Sequence, residues 1–262
     1  MKNPIMKPKL RYCRFTVIGL LTLYTNLVLT NLVSYRQYWY TQLYNNGTAL
    51  KPLHDTFFVD WVDGYNIPIP TGIALRDMVD VCTYAWVILT ILVWFLFSKK
   101  PILIAKALMA QIILIPSFSV AQLMTVVPDS TPNCLAVFDI PTTEDMNWIF
   151  WRWPSHGCGN MLWSSDITQL VVFTALAVQI VPSKRHRLAN IVWLVGELWT
   201  FVTIIFAFSS RYQYTVDVIA TYIVVKLAMT NPTIEFLARY FFVRNGEYFE
   251  RVPMTELTRV TI

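Results

Sequence analysis

The chain has 262 residues, of which 55% are hydrophobic and only 14% are charged, and its mean hydropathy is +0.47. This composition excludes an intrinsically disordered protein and argues against an ordinary soluble domain, in which roughly a quarter of the residues are charged. Four cysteines are too few for a disulfide-stapled scaffold, and the net charge of +5 indicates nucleic-acid binding only if the basic residues share one face.

Six apolar segments are long enough, or nearly long enough, to cross a bilayer, whose hydrocarbon core needs about 20 helical residues. In chain order they are residues 15–33, 78–97, 101–127, 161–181, 188–208 and 212–229. The sequence therefore predicts an all-α membrane protein built as a six-helix bundle. Its parts are a basic inner tail (1–14), a six-span membrane domain (15–230) and an inner C-terminal tail (231–262).

The charged residues are divided between the two sides of this predicted bundle. Sixteen of the 21 basic residues lie in the tails, in the turns after the second and fourth spans, or at inner helix ends: Lys2, Lys7, Lys9, Arg11, Arg14, Lys99, Lys100, Lys106, Lys184, Arg185, Arg187, Lys226, Arg239, Arg244, Arg251 and Arg259. Eleven of the 16 acids fall on the opposite side. By the positive-inside rule, both termini are expected on the inner, cytosol-like side. The net charge thus reports topology, and no nucleic-acid partner is expected.

Two long segments are expected on the outer side, at about residues 34–77 and 129–160. Loops of this size are usually functional or partly folded. The first contains the glycosylation sequon N-G-T at Asn46, for which a plain Asn-Gly turn is the alternative interpretation. The second is bracketed by Cys134 and Cys158, which are able to form a disulfide if the compartment is oxidising.

Glu197 lies in the middle of the fifth predicted span, where a carboxylate is costly unless it faces the interior of the bundle. One interpretation is a hydrogen bond to a neighbouring helix. The other is a proton or ion path, which needs further ionisable groups along the interior that the sequence does not show.

The fourth span begins within the sequence CGNMLWSSDI (158–167), and the sixth begins within RYQYTVDVIATY (211–222). These segments resemble the motifs C-G-D-x-x-x-S-G-H-T and H-Y-T-x-D-V-x-x-A-Y of the sphingomyelin synthase family, in the wider PAP2-like (lipid phosphate phosphatase-like) superfamily. PLHDTFF (52–58) and TVVP (125–128) are similar to that family's P-L-x-D-x-F-F and T-T-L-P. The resemblance covers about residues 50–230 and implies a six-helix PAP2-like fold with both termini in the cytosol.

This chain departs from the family at the catalytic positions. The second-motif His that is thought to attack phosphorus corresponds to Gln213, although the Asp that orients it is kept as Asp217. The first-motif His that protonates the leaving lipid oxygen corresponds to Asp166. The motif's first Asp is Asn160 and its Gly is Ser165.

The family's basic residue in the third span is also missing, because its place is taken by Phe118 or an apolar neighbour. Without that cation, charge developing on phosphorus loses electrostatic support. The amide of Gln213 is neither a nucleophile nor a base near neutral pH. The resemblance combined with these replacements implies a pseudoenzyme, with His156 as an outside candidate for a rebuilt site. A metal at Asp166 would find only Asp217 as a second ligand, so neither a metal nor a cofactor is expected.

Intact scaffold residues beside missing catalytic groups favour a lipid-accessible cavity that is kept for binding. We expect the lipid contacts at Asn160, Ser164, Asp166, Tyr214 and Asp217. The predicted function is a lipid-binding accessory subunit or regulator in a membrane complex, with membrane phospholipid or sphingolipid and other proteins as partners. The alternatives are an active head-group phosphotransferase with a rebuilt site, and a transporter or channel centred on Glu197.

The compartment has two interpretations. The resemblance implies the Golgi or the plasma membrane, with the motif face lumenal or extracellular. The first 54 residues, however, contain seven basic residues and no acid, a composition also seen in organelle import, so the mitochondrial inner membrane is the alternative. Glycosylation of Asn46 would favour the secretory route.

Overall fold

The computed structural model describes residues 9–10, 12–44, 73–98, 100–125, 140–141, 145–152, 163–182, 185–210 and 215–244. Within these ranges the chain is helical apart from one pair of two-residue strands, β1 (Lys9–Leu10) and β2 (Val243–Arg244). The helices are α1 (Tyr12–Tyr44), α2 (Ile73–Val93, continued by a π-helical turn at Trp94–Ser98), α3 (Pro101–Met124), α4 (Trp148–Trp151), α5 (Ser165–Ile180), α6 (His186–Ser210), α7 (Thr215–Thr230) and α8 (Pro232–Phe242).

Four segments of these helices are long and apolar enough to cross a membrane: Cys13–Tyr40, Asp77–Ser98, Pro101–Met124 and His186–Phe208. They coincide with the first, second, third and fifth predicted spans, so the prediction of a helical, multi-pass membrane protein is confirmed. The fourth and sixth predicted spans correspond to α5 and α7, which have 16 residues each. Such helices are about 24 Å long, shorter than the ~30 Å hydrocarbon core. The count of six spans therefore stays a prediction.

Helix α1 is longer than a membrane crossing requires. Its 33 residues span about 50 Å at 1.5 Å per residue, which exceeds the thickness of the hydrocarbon core. The sequence has one glycine and no proline between residues 12 and 44, and the first strong turn signal is the N-N-G at residues 45–47. The segment expected as an outer loop from residue 34 therefore begins as a continuation of α1.

The short helix α4 is anchored on α1 by a buried asparagine. Asn31 donates from Nδ2 to the backbone oxygens of Ile149 at 2.9 Å and Arg152 at 2.8 Å. The rings of Tyr35 and Trp148 pack edge to face with their centroids 6.2 Å apart. Aromatic side chains gathered in this way are typical of the membrane interface. Part of the second predicted outer segment is thus helical and held against α1.

Helix α5 is the centre of the bundle and packs against α2, α3, α6 and α7. Most of its residues are buried, and Ile167, Leu170 and Val172 have no exposed surface. A helix that is apolar on all sides has to be surrounded, and here the surrounding material is protein. Because protein rather than lipid covers it, α5 does not need to match the thickness of the bilayer.

Gly196 of α6 permits a close approach to Thr174 of α5. A Cβ atom added at Gly196 would lie closer to the Thr174 side chain than real Cβ atoms approach their neighbours, with Thr174 Oγ1 only 2.9 Å away. Small residues at such crossings are characteristic of packed membrane helices. At Gly19 of α1, by contrast, an added Cβ would meet nothing within 4 Å.

We expect Gly196→Ala to destabilise the protein by about 1–3 kcal/mol, because the added methyl group overpacks the α5–α6 crossing. Gly19→Ala is the matched control, and its lower backbone entropy in the unfolded chain should leave stability equal or slightly higher. Thermal unfolding of the purified protein, followed by tryptophan fluorescence, measures both effects. Thr174→Ala should restore part of the loss in the double variant. Equal melting of the two single variants would contradict this account.

The two described ends of the chain meet at one end of the bundle. Strands β1 and β2 pair antiparallel, with Lys9 opposite Arg244 and Leu10 opposite Val243. Next to this pairing, the rings of Phe15 and Phe242 pack edge to face with centroids 5.7 Å apart. The pairing consists of hydrogen bonds between backbone groups and joins two segments that are separated by most of the sequence.

Helix α8 follows α7 after a single residue, Asn231, and packs on α3. Asn231 Oδ1 accepts a hydrogen bond from the backbone N–H of Thr233 at 2.9 Å, and Pro232 is the first helical residue, a combination typical of a helix start. The face of α8 that packs on α3 consists of Ile234, Ala238 and Phe242. On the same helix, Glu235 Oε2 lies 3.8 Å from Nζ of the buried Lys106. Every fourth residue of α8 from Ile234 to Phe242 is therefore apolar and buried. Glu235 of the same helix pairs with Lys106, the buried lysine of α3.

Candidate functional site

The structure describes three of the predicted site residues, namely Ser164, Asp166 and Asp217. The others lie outside the described residues: Asn46, Cys134, His156, Cys158, Asn160, Gln213 and Tyr214. The disulfide, the glycosylation and the relocated histidine therefore stay predictions. The described residues show how the helix starts of the two motifs are arranged.

Ser164 forms the start of α5 and joins it to α7. Its hydroxyl accepts a hydrogen bond from the backbone N–H of Ile167 at 3.3 Å, which is the usual role of an N-cap serine. Its backbone N–H donates to Oγ1 of Thr221 on α7 at 3.0 Å. Since Ser164 and Thr221 are both fully buried, this contact fixes the first motif segment directly against the second motif helix.

Asp217 lies in the first turn of α7 and is almost completely buried, with 4% of its surface exposed. It precedes Thr221 by four residues, so both side chains lie on one face of the helix. That face is the one that meets the start of α5. The structure therefore brings Asp217 and Ser164, predicted from two separate motifs, to the same end of the bundle.

Asp166 is the second residue of α5, half-buried, and lies at the same end. Asp166 and Asp80 of α2 are both close enough to the Tyr84 hydroxyl to interact with it electrostatically. The amino-terminal turn of a helix favours a carboxylate, which is sufficient to explain Asp166 as a structural residue of α5. Three carboxylates, from α2, α5 and α7, thus mark one acidic end of the bundle.

Phe118, one of the apolar residues that the resemblance implies in place of a third-span cation, belongs to an aromatic stack. The rings of Phe118 on α3 and Trp163, the residue before the Ser164 cap, lie parallel with centroids 3.6 Å apart. Trp163 is buried, and its indole N–H has no hydrogen-bond partner among the described residues. The stack places an apolar surface next to the start of α5.

The described part of this site offers carboxylates and aromatic rings. A carboxylate beside a neutral hydroxyl supports hydrogen bonding, whereas phosphoryl transfer depends on cations and a positioned nucleophile. Within the described ranges, no three His, Cys, Asp or Glu side chains come close enough together to hold a metal ion. The arrangement is therefore suited to binding a polar group beside an apolar surface.

A second polar cluster lies between α6 and α7, and it contains Glu197. The carboxylate accepts hydrogen bonds from Lys226 Nζ at its Oε1 and from the Tyr222 hydroxyl at its Oε2, each at 2.5 Å. Lys226 Nζ also lies 5.7 Å from the centre of the Trp193 ring. The interpretation of Glu197 as a hydrogen-bonded partner of a neighbouring helix is confirmed.

Sequence reasoning missed several partners that the structure reveals. Thr221 and Trp163 were not predicted as site residues, and Lys226 was assigned only to the inner end of its helix. The signal available in the sequence was spacing: Trp193 and Glu197 are four residues apart, as are Tyr222 and Lys226. Two such pairs on consecutive helices are able to face each other, but spacing alone does not show that they do.

Comparison with known proteins adds no family to this geometry. No protein-family model matches the chain, and a search of curated proteins gives no match. The residues of the site therefore carry the functional argument.

Proposed function

We propose that this chain is a catalytically degenerate, sphingomyelin synthase-like membrane protein of the PAP2-like type. It binds a membrane lipid without converting it, and it serves as an accessory subunit or regulator in a membrane complex. The observation that carries this proposal is the stack of Phe118 on Trp163 beside the Ser164–Thr221 junction. At that position a head-group transferase of this type needs a cation.

The composition of the acidic end supports binding over catalysis. Asp80, Asp166 and Asp217 offer carboxyl groups and no positive charge, whereas a pentavalent or metaphosphate-like transition state is anionic. Carboxylates without a cation would raise the energy of that state. The same carboxylates and the Thr221 hydroxyl suit the hydroxyl, amide or ammonium groups of a lipid head group. The Phe118–Trp163 stack provides the adjoining apolar surface.

We expect the purified chain to retain about one phospholipid or sphingolipid molecule, and Trp163→Ala to lose it. Loss of one large apolar contact surface reduces the binding free energy by about 1.5 kcal/mol or more. When the lipid concentration is low, the fraction of protein that carries lipid should therefore fall roughly tenfold. Native mass spectrometry after gentle detergent extraction measures the occupancy. Phe201→Ala, on the exposed surface of α6, is the matched control and should not change it.

Trp163→Phe separates a lost stack from a lost fold. A phenylalanine ring is still able to stack on Phe118, so this variant should keep most of the lipid and the wild-type melting temperature. A wild-type protein without lipid, or a Trp163→Ala protein with full occupancy, would contradict the lipid-binding proposal.

The proposed topology has six crossings and places both termini on the cytosolic side, in the Golgi or plasma membrane. The pairing of β1 with β2 supports it, because an even number of crossings returns the chain to its starting side.

Cys13 is exposed near the start of α1 and reports the inner side. In a variant with Cys13 as its sole cysteine, a membrane-impermeant maleimide should label sealed, right-side-out vesicles only after permeabilisation. Labelling of intact vesicles would overturn this orientation, and an N-linked glycan at Asn46 would exclude the mitochondrial alternative.

A further inference from the structure

We infer that the groove between α6 and α7 is the surface on which this chain binds a membrane-spanning helix of another protein. The partner helix presents a hydrogen-bond acceptor at the depth of Lys226. This inference rests on the proposed role as an accessory subunit and assigns that role to one face of the molecule.

The groove exists because α6 and α7 both pack closely against α5 but hardly contact each other. Their main connection is the cluster of Trp193 and Glu197 on α6 with Tyr222 and Lys226 on α7. The rims on either side are apolar and exposed: Leu194, Leu198, Ile219, Ile223 and Leu227. A polar floor between apolar rims has the character of a helix-binding surface, because a wall that faces only lipid has no need of the polar cluster.

Glu197 lies within His186–Phe208, one of the segments long and apolar enough to cross a membrane. Glu197 follows the start of α6 at His186 by eleven residues, and Lys226 precedes the end of α7 at Thr230 by four. At 1.5 Å per residue these positions are about 16 Å and 6 Å inside the helix ends. Trp193 pairs with Lys226 while Glu197 pairs with Tyr222, so the two helices are antiparallel.

The direction of the side chains keeps Lys226 from reaching the membrane surface. Side chains on a helix tilt toward its amino terminus, so those of antiparallel helices tilt toward each other across the groove. Lys226 therefore extends toward Glu197, away from the near end of α7. At this depth a charged group is rare and is normally covered by protein.

Two members of the cluster face outward, Trp193, which is 50% exposed, and Lys226. The Lys226 side chain is 35% exposed, compared with 16% for Glu197. An ammonium group has three N–H donors and no acceptor. Glu197 Oε1 takes one of them, and the rings of Tyr222 and Trp193 lie 4.9 Å and 5.7 Å from Nζ. Among the described residues no second oxygen atom accepts a hydrogen bond from Nζ, so the partner should supply a carbonyl, hydroxyl, amide or carboxylate oxygen.

The same feature argues against the other occupants of the groove. A second copy of this chain related by a two-fold axis would bring one outward-facing Lys226 toward another, donor against donor. Lipid acyl chains carry no acceptor, and phosphate groups lie outside the hydrocarbon region in which the cluster sits. A polar residue on a partner helix is able to lie at the depth of Lys226 and to supply the oxygen atom that accepts its hydrogen bond.

A photo-crosslinking amino acid placed at Ile223 in the full-length chain tests the inference in native membranes. Ile88 on α2, which is 56% exposed against 50% for Ile223, is the matched control on another face. We expect a single polypeptide adduct from Ile223 and none from Ile88. The crosslinked peptide should belong to an apolar span with a polar residue within one turn of the attachment point.

The dependence on charge is tested with Glu197→Gln/Lys226→Met, which removes both charges together and leaves no unpaired ion. Adduct yield at Ile223 should fall roughly tenfold, the equivalent of one hydrogen bond to a charged group. Retained lipid and melting temperature serve as readouts that the variant is folded. An unchanged yield in a folded variant would overturn the role of Lys226.

The remaining outcomes separate this inference from the proposed function. An adduct between two differently tagged copies of this chain, or an adduct with lipid alone, overturns the partner-helix surface. A protein adduct from Ile88 but not from Ile223 overturns this face and leaves the accessory role standing. No protein adduct from either position overturns both the face and the accessory role, whereas lipid retention would still support lipid binding.

Discussion

Replacing Lys226 by methionine is expected to lower the free energy of unfolding by about 3 kcal/mol, because it leaves the mostly buried Glu197, whose side chain is 16% exposed, without its cation. The substitution leaves the Glu197 carboxylate inside the membrane-crossing region with the Tyr222 hydroxyl as its remaining partner. At ~2–4 °C per kcal/mol for a chain of this size, the melting temperature should fall by roughly 6–12 °C. Thermal unfolding in one detergent, monitored by tryptophan fluorescence, is the measurement.

The reason for this loss is tested by removing the second charge. In Glu197→Gln/Lys226→Met the amide still accepts a hydrogen bond from Tyr222, and no ion is left unpaired, so most of the stability should return. Arg239→Met breaks an exposed pair with Glu235 and should cost less than about 1 kcal/mol. If the double variant melts as low as Lys226→Met alone, the cluster does not act as an ion pair.

The wild-type chain is expected to show no head-group transfer from phosphatidylcholine to ceramide above that of empty vesicles. Loss of an essential nucleophile costs on the order of 10⁶-fold in turnover, and under the proposed resemblance Gln213 and Asp166 stand at both histidine positions. Product formation from fluorescent ceramide in reconstituted vesicles measures it. Turnover that is abolished by Asp217→Ala or His156→Ala would establish a working, rebuilt site and overturn the pseudoenzyme proposal.

Restoring the histidines should restore slow turnover if the cavity still accepts substrate. In Asp166→His/Gln213→His, the kept Asp217 is available to orient the new His four residues before it. Because Phe118 stays in place of a cation, the rate should remain about 10²–10³-fold below that of a complete site. Adding Asp217→Ala should abolish the gain. A folded, lipid-retaining double-histidine variant without any turnover would contradict the assignment of these motif positions.

The membrane helices could be predicted closely because hydropathy is a local property. Predicted spans at residues 101–127 and 188–208 correspond to helices Pro101–Met124 and His186–Ser210, and the differences at their ends are a few residues. A hydrocarbon environment forces each apolar segment to satisfy its backbone hydrogen bonds internally. Length and composition of a segment are then enough to define a helix.

The candidate site could be predicted only in part. The two motif segments, 158–167 and 211–222, predicted polar side chains at the starts of the fourth and sixth spans, among them Ser164 and Asp217. That Ser164 donates to Thr221, and that Phe118 stacks on Trp163, depends on contacts between helices that are far apart in the sequence. Such contacts follow from how the helices pack, which no single segment contains.

By itself, the sequence determined that the chain is helical and that several of its helices are long and apolar enough to cross a membrane. Only the tertiary structure decided that the short helix α5 is central, that Asn31 of α1 holds α4, and that Glu197 is paired with Lys226 and Tyr222. The physical reason is that hydrophobic burial is largely additive along the chain. The pairing of buried polar groups, in contrast, depends on distances of a few ångströms between separate helices.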